Sequence, residues 1–175
     1  DGTRAAVRRM AAGDNRLRLL DNPGRIVPTG LNIALAQAHG EIVVRVDGHT
    51  IIAPDYVRRC VEHLEFDAVD GVGGPMETIG EDYLSQAIAL AMSSGFGVGG
   101  SAFRTVKGKR MLVETVPFPA YRMETIRRNG NFDEEMVRNQ DDEYNYRLLK
   151  NGGKILLSPD IRSQYFSRSS LGKLW

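Results

Sequence analysis

The chain has 175 residues, of which 42% are hydrophobic, and this suits one domain with a single core. Its 23 basic and 22 acidic residues leave a formal charge of +1, so no strong field would gather nucleic acid on its surface. The single cysteine, Cys60, excludes an intrachain disulfide and a zinc site of several thiolates, and it fits a reducing compartment.

Helices and strands are predicted in alternation along the first half of the chain. The pattern indicates helices over residues 4–12, 29–40 and 54–64, with Thr3 and Thr29 as caps and Pro54 in a first turn. Strands are predicted over 16–20, 42–46 and 68–72, and the β-branched run of the second is typical of a buried strand. Because such alternation forms crossover units, we expect one α/β domain over residues 1–175, with a mostly parallel sheet and helices on both faces.

The second half of the chain is less regular. Helices are predicted over 81–92, 122–128 and 139–150, and strands over 111–116 and 154–157. The longest weakly polar stretch, 87–98, is far shorter than the roughly 20 apolar residues of a membrane span. Residues 95–100 match the G-x-G-x-x-G pattern of dinucleotide sites, but a helix precedes them where that fingerprint needs a strand. We therefore reject a Rossmann oxidoreductase and interpret residues 95–100 as a surface connection or a mobile loop that faces the substrate.

The first candidate site is Asp47-Gly48-His49, directly after the predicted strand 42–46. This is the carboxyl end of the strand, where open α/β sheets bind ligands. Asp47 could hold a divalent cation, Gly48 would let a diphosphate approach the backbone, and His49 could add an imidazole ligand to manganese. In the alternative, Asp47 only caps the turn and His49 is exposed. These residues alone do not decide between the two.

A second cluster of carboxylates, Asp141, Asp142 and Glu143, opens the predicted helix 139–150. Exposed N–H groups and the helix dipole favour carboxylates in a first turn, which is a purely structural explanation. In the functional alternative, one carboxylate removes a proton from an incoming hydroxyl group. Asp141 shares a helix face with Asn145, whereas Asp142 is turned away by about 100°, and the periodicity does not choose between the two aspartates.

Several segments, taken in order, resemble the inverting glycosyltransferases of family 2, especially those of the succinoglycan-biosynthesis type. Residues 1–3 look like the end of the family's Asp-Asp-Gly-Ser-x-Asp-Gly-Thr segment, and residues 22–40 are similar to its N-x-G, L-N and A-x-G-x block. Residues 45–49 fall where the family has its D-x-D motif. Residues 115–122, 130–134 and 140–152 follow at family-like spacings, so the resemblance covers essentially the whole chain.

The resemblance implies roles for individual residues. Asp47 would be the metal and diphosphate aspartate, with His49 as a second metal ligand, and Asp141 would be the catalytic base. Two positions depart from the family pattern, since His49 replaces the second aspartate of D-x-D and Gln140 replaces the glutamate before the base. The donor-binding residues implied in this way are Asp47, Gly48 and Asn32.

The resemblance also implies a fold and a function. The fold would be GT-A, a Rossmann-like nucleotide-diphospho-sugar transferase fold, with its first strands before Asp1. The reaction would move a sugar from a nucleotide-diphosphate donor, a UDP-sugar, to a saccharide or lipid-linked saccharide in polysaccharide biosynthesis, with Mn²⁺ or Mg²⁺ as cofactor. Membrane-associated segments are expected beyond Trp175, at the cytoplasmic face of a bacterial membrane. The alternative is a non-catalytic nucleotide-sugar or glycan-binding module with the same fold.

Overall fold

The computed structural model describes residues 2–80, 83–92, 103 and 108–166. Each predicted helix is present with shifted ends, and four short strands that were not predicted (β2, β4, β6 and β8) are added. The helices are α1 (Thr3–Gly13), α2 (Val27–Ala36), α3 (Tyr56–Phe66), α4 (Tyr83–Met92), α5 (Met123–Asn129) and α6 (Gln140–Lys150). The strands are β1 (Ile42–Val44), β2 (Thr50–Ile52), β3 (Gly71–Gly73), β4 (Met76–Ile79), β5 (Met111–Val113), β6 (Ala120–Arg122), β7 (Ile155–Leu157) and β8 (Ser163–Phe166).

The described residues form two compact units. The first contains those of Asp1–His39 and Phe132–Gln140, and the second those of Gly40–Asn131 and Asp141–Trp175. The first unit therefore holds α1 and α2, and the second holds both sheets. The single domain over residues 1–175 stays a prediction.

Residues 16–20 of the first unit do not form the predicted strand. Among the described residues no strand lies beside them, and a ladder of hydrogen bonds needs a partner. Instead, the Arg18 guanidinium donates to the carbonyl oxygen of Gln37 at 3.2 Å and to its side-chain oxygen at 2.7 Å. The alternation of charged and apolar residues therefore marks an extended segment that is tied to the end of α2.

The second unit contains a five-stranded sheet of order β1-β6-β3-β7-β5 and a three-stranded sheet of order β2-β8-β4. In the larger sheet β3 and β7 are parallel, whereas β6 is antiparallel to β1 and β3, and β5 is antiparallel to β7. The α/β class is confirmed, but the sheet is mixed rather than mostly parallel. The reason is that β6 follows the proline-rich turn 117–119 without a crossover helix, so it can enter the sheet antiparallel to both neighbours.

Helix α3 covers the larger sheet with one apolar face. Tyr56, Cys60 and Leu64 recur every four residues, and each is at most 1% exposed. They pack in one cluster with Val72 of β3 and Ala120 of β6. Burial of Cys60 raises the pKa of its thiol to about 12, which keeps the thiol protonated at neutral pH.

No helix within residues 2–80, 83–92 and 108–166 combines the length and the hydropathy that crossing a membrane requires.

Candidate active site

Asp47 lies at the carboxyl end of β1, as the sequence predicts. β1 pairs with β6, and the N–H of Arg45 extends this pairing by donating to the Pro119 carbonyl oxygen at 3.0 Å. The N–H of Thr50 donates to the Asp47 carbonyl oxygen at 3.2 Å and closes the turn that follows. This turn leads into β2, so Asp47 lies where the chain passes from the larger sheet to the smaller one.

Arg45 connects two carboxylates that are distant in the sequence. Its Nε donates to Oδ1 of Asp47 at 2.9 Å and its Nη2 to Oδ2 at 3.0 Å. Its Nη1 lies 4.0 Å from Oδ2 of Asp141. The Arg45 side chain is 14% exposed, against 31% for Asp47 and 42% for Asp141, so the guanidinium is more buried than either carboxylate. The structure therefore brings the candidate metal ligand and the candidate base to one guanidinium group.

The three acidic side chains in the first turn of α6 have different surroundings. Asp141 faces Arg45. Partial desolvation and the charge of Asp141 raise the pKa of Asp142, against the effect of a hydrogen bond from the Thr115 hydroxyl. Glu143 forms an ion pair with the arginine one turn further along the same helix, at 2.8 Å. Of these three carboxylates, that of Asp141 lies beside the arginine that holds Asp47.

A buried hydrogen-bond network joins α6 to β6. The O–H of Tyr121 donates to Oδ1 of Asn145 at 2.5 Å, and Nδ2 of Asn145 donates to Oγ1 of Thr115 at 2.9 Å. Tyr121 is 4% exposed and Asn145 is 1% exposed. Burial raises the pKa of Tyr121, so its phenol stays protonated and acts as the donor. Because Asn145 shares a helix face with Asp141, the network fixes which side of α6 presents Asp141.

The sequence predicted the shared face of Asp141 and Asn145 but not the partners of Asn145. Thr115 and Tyr121 belong to the block 115–122 of the family resemblance, of which residues 117–122 were expected to border the acceptor, but the resemblance did not show that either residue is a partner of Asn145. The available signal was an asparagine that falls on the inner side of an amphipathic helix, where a buried amide needs hydrogen-bond partners.

At the end of β1, a divalent cation would find one carboxylate and not a closed set of protein ligands. Within the described ranges, no group of three His, Cys, Asp or Glu side chains could hold a metal ion. Both oxygens of Asp47 accept from Arg45, and each keeps a further lone pair. The ring of His49 lies with Nδ1 3.4 Å from Oγ1 of Thr50 and packs edge-on against Tyr165, with centroids 5.0 Å apart. These residues fit Mg²⁺ or Mn²⁺ bound through one carboxylate and substrate phosphate oxygens, and the ligand role of His49 stays a prediction.

The other predicted donor contacts differ in their surroundings. Apart from Gly48 and its two neighbours in the chain, no described residue has an atom within 4 Å of the position that a Cβ at Gly48 would occupy, so the backbone is open there, as the approach of a diphosphate requires. In the first unit, Nδ2 of Asn32 donates to the Phe132 carbonyl oxygen and to Oε1 of Glu134, both at 2.9 Å. Oδ1 of Asn32 accepts from the Phe132 N–H at 2.9 Å, so the amide holds residues 132–134, and its contact with a donor stays a prediction. The glycine-rich segment 95–100 lies outside the described residues.

Comparison with known sequences places the chain in one family. The model of glycosyl transferase family 2 matches residues 1–131, which include Asp47 and end before Asp141. The succinoglycan biosynthesis protein ExoA of Rhizobium meliloti (strain 1021) is 34% identical over 177 residues. This alignment covers 100% of the chain and 53% of ExoA, so the chain spans about half the length of that relative.

Solved structures agree with the family match at the level of the fold. The mannosyltransferase PcManGT of Pyrobaculum calidifontis, solved with GDP-Man and Mn²⁺, has a TM-score of 0.63 at 23% identity and covers 94% of this chain and 44% of its own. TarS of S. aureus, solved with UDP-GlcNAc, has a TM-score of 0.62 at 19% identity and covers 97% of this chain and 47% of its own. The GT-A fold is thereby confirmed. With a family model matched over residues 1–131 and a relative aligned along the whole chain, this protein belongs to glycosyl transferase family 2.

Proposed function

We propose that this chain carries the catalytic centre of an inverting glycosyltransferase that moves a sugar from a nucleoside-diphosphate donor to a saccharide acceptor in polysaccharide biosynthesis. The observation that carries the proposal is the meeting of Asp47 and Asp141 at Arg45, with contacts of 2.9 Å and 4.0 Å. Inverting transfer needs a charged group near the departing diphosphate and a base near the attacking hydroxyl. Asp47 and Asp141 supply one candidate for each.

In the proposed reaction, the oxygen of the acceptor hydroxyl forms a bond to the anomeric carbon while Asp141 accepts the proton of that hydroxyl. The bond from that carbon to the diphosphate breaks in the same displacement, so the anomeric configuration inverts. Asp47, with His49 as the second predicted ligand, would hold Mn²⁺ or Mg²⁺, which when bound supplies positive charge at the leaving diphosphate. Proton abstraction typically accelerates a reaction by ~10²–10⁴-fold. Positioning of the substrates and charge at the diphosphate must therefore supply much of the remaining rate acceleration.

Asp141 is a better candidate for the base than Asp142. Both residues are accessible to an acceptor, since Asp142 is exposed and the Asp141 side chain is 42% exposed, but of the two it is Asp141 that lies beside the arginine that holds Asp47. Asp142 instead interacts with the Thr115 hydroxyl. A base must lie within hydrogen-bond reach of the proton that it removes, so the carboxylate that shares Arg45 with Asp47 is the favoured one.

The substrates of the proposed reaction are inferred from similar proteins. PcManGT was solved with GDP-Man and Mn²⁺ and TarS with UDP-GlcNAc, which supports a nucleoside-diphosphate sugar and a divalent cation here. We propose a UDP-sugar as donor, with Gly48 among its contacts. The name of ExoA supports polysaccharide biosynthesis. We propose a saccharide or lipid-linked saccharide as acceptor, at the cytoplasmic face of the cell membrane, which the protein would reach through segments outside this chain.

The test of this function is transfer by the full-length protein. It would be incubated with a panel of UDP- and GDP-sugars, Mn²⁺ or Mg²⁺, and lipid-linked saccharides, and the products would be identified by mass spectrometry. We expect one donor to be consumed, and Asp47→Asn to weaken donor binding in the presence of the cation. His49→Ala should have a smaller effect or change the preferred metal, because imidazole suits manganese better than magnesium.

Asp21→Asn is the matched control for Asp47→Asn, because it removes the same charge from a 71% exposed side chain whose recorded partner is Arg4. It should leave donor affinity unchanged. Calorimetry that finds equal donor affinity for Asp47→Asn and the parent protein would exclude Asp47 as a ligand. A protein that binds a nucleotide sugar but turns over none of the panel would instead support the non-catalytic module, which the replacements His49 and Gln140 favour.

A further inference from the structure

Arg45 already binds Asp47, the carboxylate proposed to hold a divalent cation. Its guanidinium takes both oxygens of the carboxylate, at 2.9 Å and 3.0 Å, and its side chain is only 14% exposed. Bidentate pairs between arginine and carboxylate are among the stronger hydrogen-bonded ion pairs in proteins. A cation that reaches Asp47 must therefore share a carboxylate that already has a resident positive partner.

The corner of the fold formed by Asp47, Arg45 and Asp141 has less negative charge than a D-x-D motif would supply. His49 stands where the second aspartate would be, and within the described part of the chain the ion pairs at this position join Asp47, Arg45 and Asp141. The sum of their formal charges is one negative charge, from two carboxylates and one guanidinium. The affinity of an oxygen site for a hard cation rises with the number of negative ligands, so this corner by itself is a poor site for a free divalent cation.

A nucleoside diphosphate changes this balance when it arrives. Its phosphate oxygens bring negative charge that can be shared by the cation and by a guanidinium, which matches phosphate geometry as well as it matches carboxylate. The Arg45 group lies at the backbone turn whose Gly48 is open to the approach of a ligand. Arg45 can thus weaken the binding of a free cation and strengthen the binding of a cation that is accompanied by the nucleotide.

We infer that Arg45 is a positioning residue that keeps Asp47 neutralised until the donor arrives, so that the divalent cation binds together with the nucleoside diphosphate and only weakly before it. This inference rests on the proposed function in one respect, the role of Asp47 as the cation's carboxylate ligand. It assigns Arg45 no part in the proton transfer or the displacement.

The test measures Mn²⁺ binding directly, without turnover. Calorimetry or Mn²⁺ electron paramagnetic resonance on the full-length protein would give the Mn²⁺ affinity alone and with saturating UDP or GDP. In the parent protein, the nucleotide should tighten Mn²⁺ binding at least severalfold. Arg45→Gln removes the competing charge, and should tighten nucleotide-free Mn²⁺ binding on the order of tenfold, the scale of one charge interaction at short range in a partly buried site. The nucleotide should then add less to the affinity of this variant.

Two further variants separate charge from geometry and from folding. Arg45→Lys keeps the charge and loses the bidentate fork, so its nucleotide-free Mn²⁺ affinity should stay close to that of the parent protein. Arg58→Gln removes an equal charge from an exposed helix face, where it pairs with Glu62 at 2.9 Å, and should change nothing. Thermal melts would show that each variant is folded.

Unchanged or weaker nucleotide-free Mn²⁺ binding in folded Arg45→Gln would overturn the inference. The same holds if Arg58→Gln tightens Mn²⁺ as much as Arg45→Gln does. Failure of the proposed function is a separate result, namely a parent protein that binds Mn²⁺ with nucleotide but transfers no sugar. Tightened Mn²⁺ binding in Arg45→Gln beside such a result would support the inference and refute the transferase.

Discussion

Replacing Asp141 by asparagine separates an effect on catalysis from an effect on stability, because this side chain contributes little to the stability of the fold. Its carboxylate is 42% exposed and lies 4.0 Å from the Arg45 guanidinium. A carboxylate in a helix first turn contributes about 0.3 to 1 kcal/mol, and an exposed ion pair about 0 to 1 kcal/mol. We therefore expect Asp141→Asn to lower the free energy of unfolding by no more than about 2 kcal/mol, the sum of the two upper values.

The expected effect on turnover is much larger. Loss of a general base typically lowers kcat by ~10²–10⁴-fold, which corresponds to a barrier raised by about 3 to 5 kcal/mol. Asparagine keeps the size of the side chain and most of its capping hydrogen bonds but cannot accept the proton. Donor affinity should therefore be preserved while kcat falls.

Asp142→Asn is the matched control, one residue along the same helix turn. Burial and the charge of Asp141 raise the pKa of Asp142, so its ionised form is less favourable in the folded protein than in the unfolded chain. Stability from this group is complete at low pH and is reduced as the pH rises through the raised pKa, so removal of the charge should not destabilise the protein at neutral pH. Turnover should fall far less than in Asp141→Asn.

The assay combines initial rates at saturating donor with thermal melts of the full-length protein. A well-folded Asp141→Asn enzyme with near-normal turnover would end the assignment of the base. Equal losses of turnover in both aspartate variants would also contradict it, because the helix N-terminus would then act as a whole. If Asp141 served stability alone, activity would fall only in proportion to the folded protein that is lost.

Two further predictions concern interactions that stabilise the second unit. Tyr121→Phe should lower the free energy of unfolding by about 1 to 3 kcal/mol, because it leaves the buried Oδ1 of Asn145 without its 2.5 Å donor, and unchanged urea denaturation would refute this. Hydrogen bonds from Arg110 and His63 lower the pKa of Asp67, so its contribution to stability is present above the unfolded pKa and is lost as the pH falls through the folded pKa. Asp67→Asn should therefore be less stable than the parent protein at pH 7, and the difference should vanish in acid; a difference independent of pH would contradict the ionic origin.

The helices were predictable because their signals are local. Apolar residues spaced by four positions in α3 are enough to define its buried face, whatever they pack against. The strands were less predictable, and two of them show why. Residues 16–20 have the alternation of a strand, but no strand lies beside them in the described part of the chain. β6 has only three residues, and its place between β1 and β3 depends on partners that are far away in sequence.

The candidate site divides in the same way. The position of Asp47 after β1 could be predicted, since a β-branched run followed by turn residues is a local pattern, although β1 is half-buried and not buried as the sequence predicted. The ion pair between Asp47 and Arg45 could not be predicted, because a spacing of two positions in the sequence does not reveal whether the two side chains meet. The role of Asn145 was hidden for a similar reason, since its partners Thr115 and Tyr121 come from another part of the chain.

The helices, the α/β class and the positions of Asp47 and the α6 carboxylates could be predicted from the sequence, because helical periodicity and strand-end turns are properties of short segments. Which carboxylate of α6 lies beside Asp47 is a property of the folded chain. That choice depends on the rotation of α6 about its axis, which is set by the buried contacts of Asn145, and on the placement of Arg45 by the pairing of β1 with β6. Both are long-range contacts, and a catalytic arrangement made of such contacts exists only once the chain is folded.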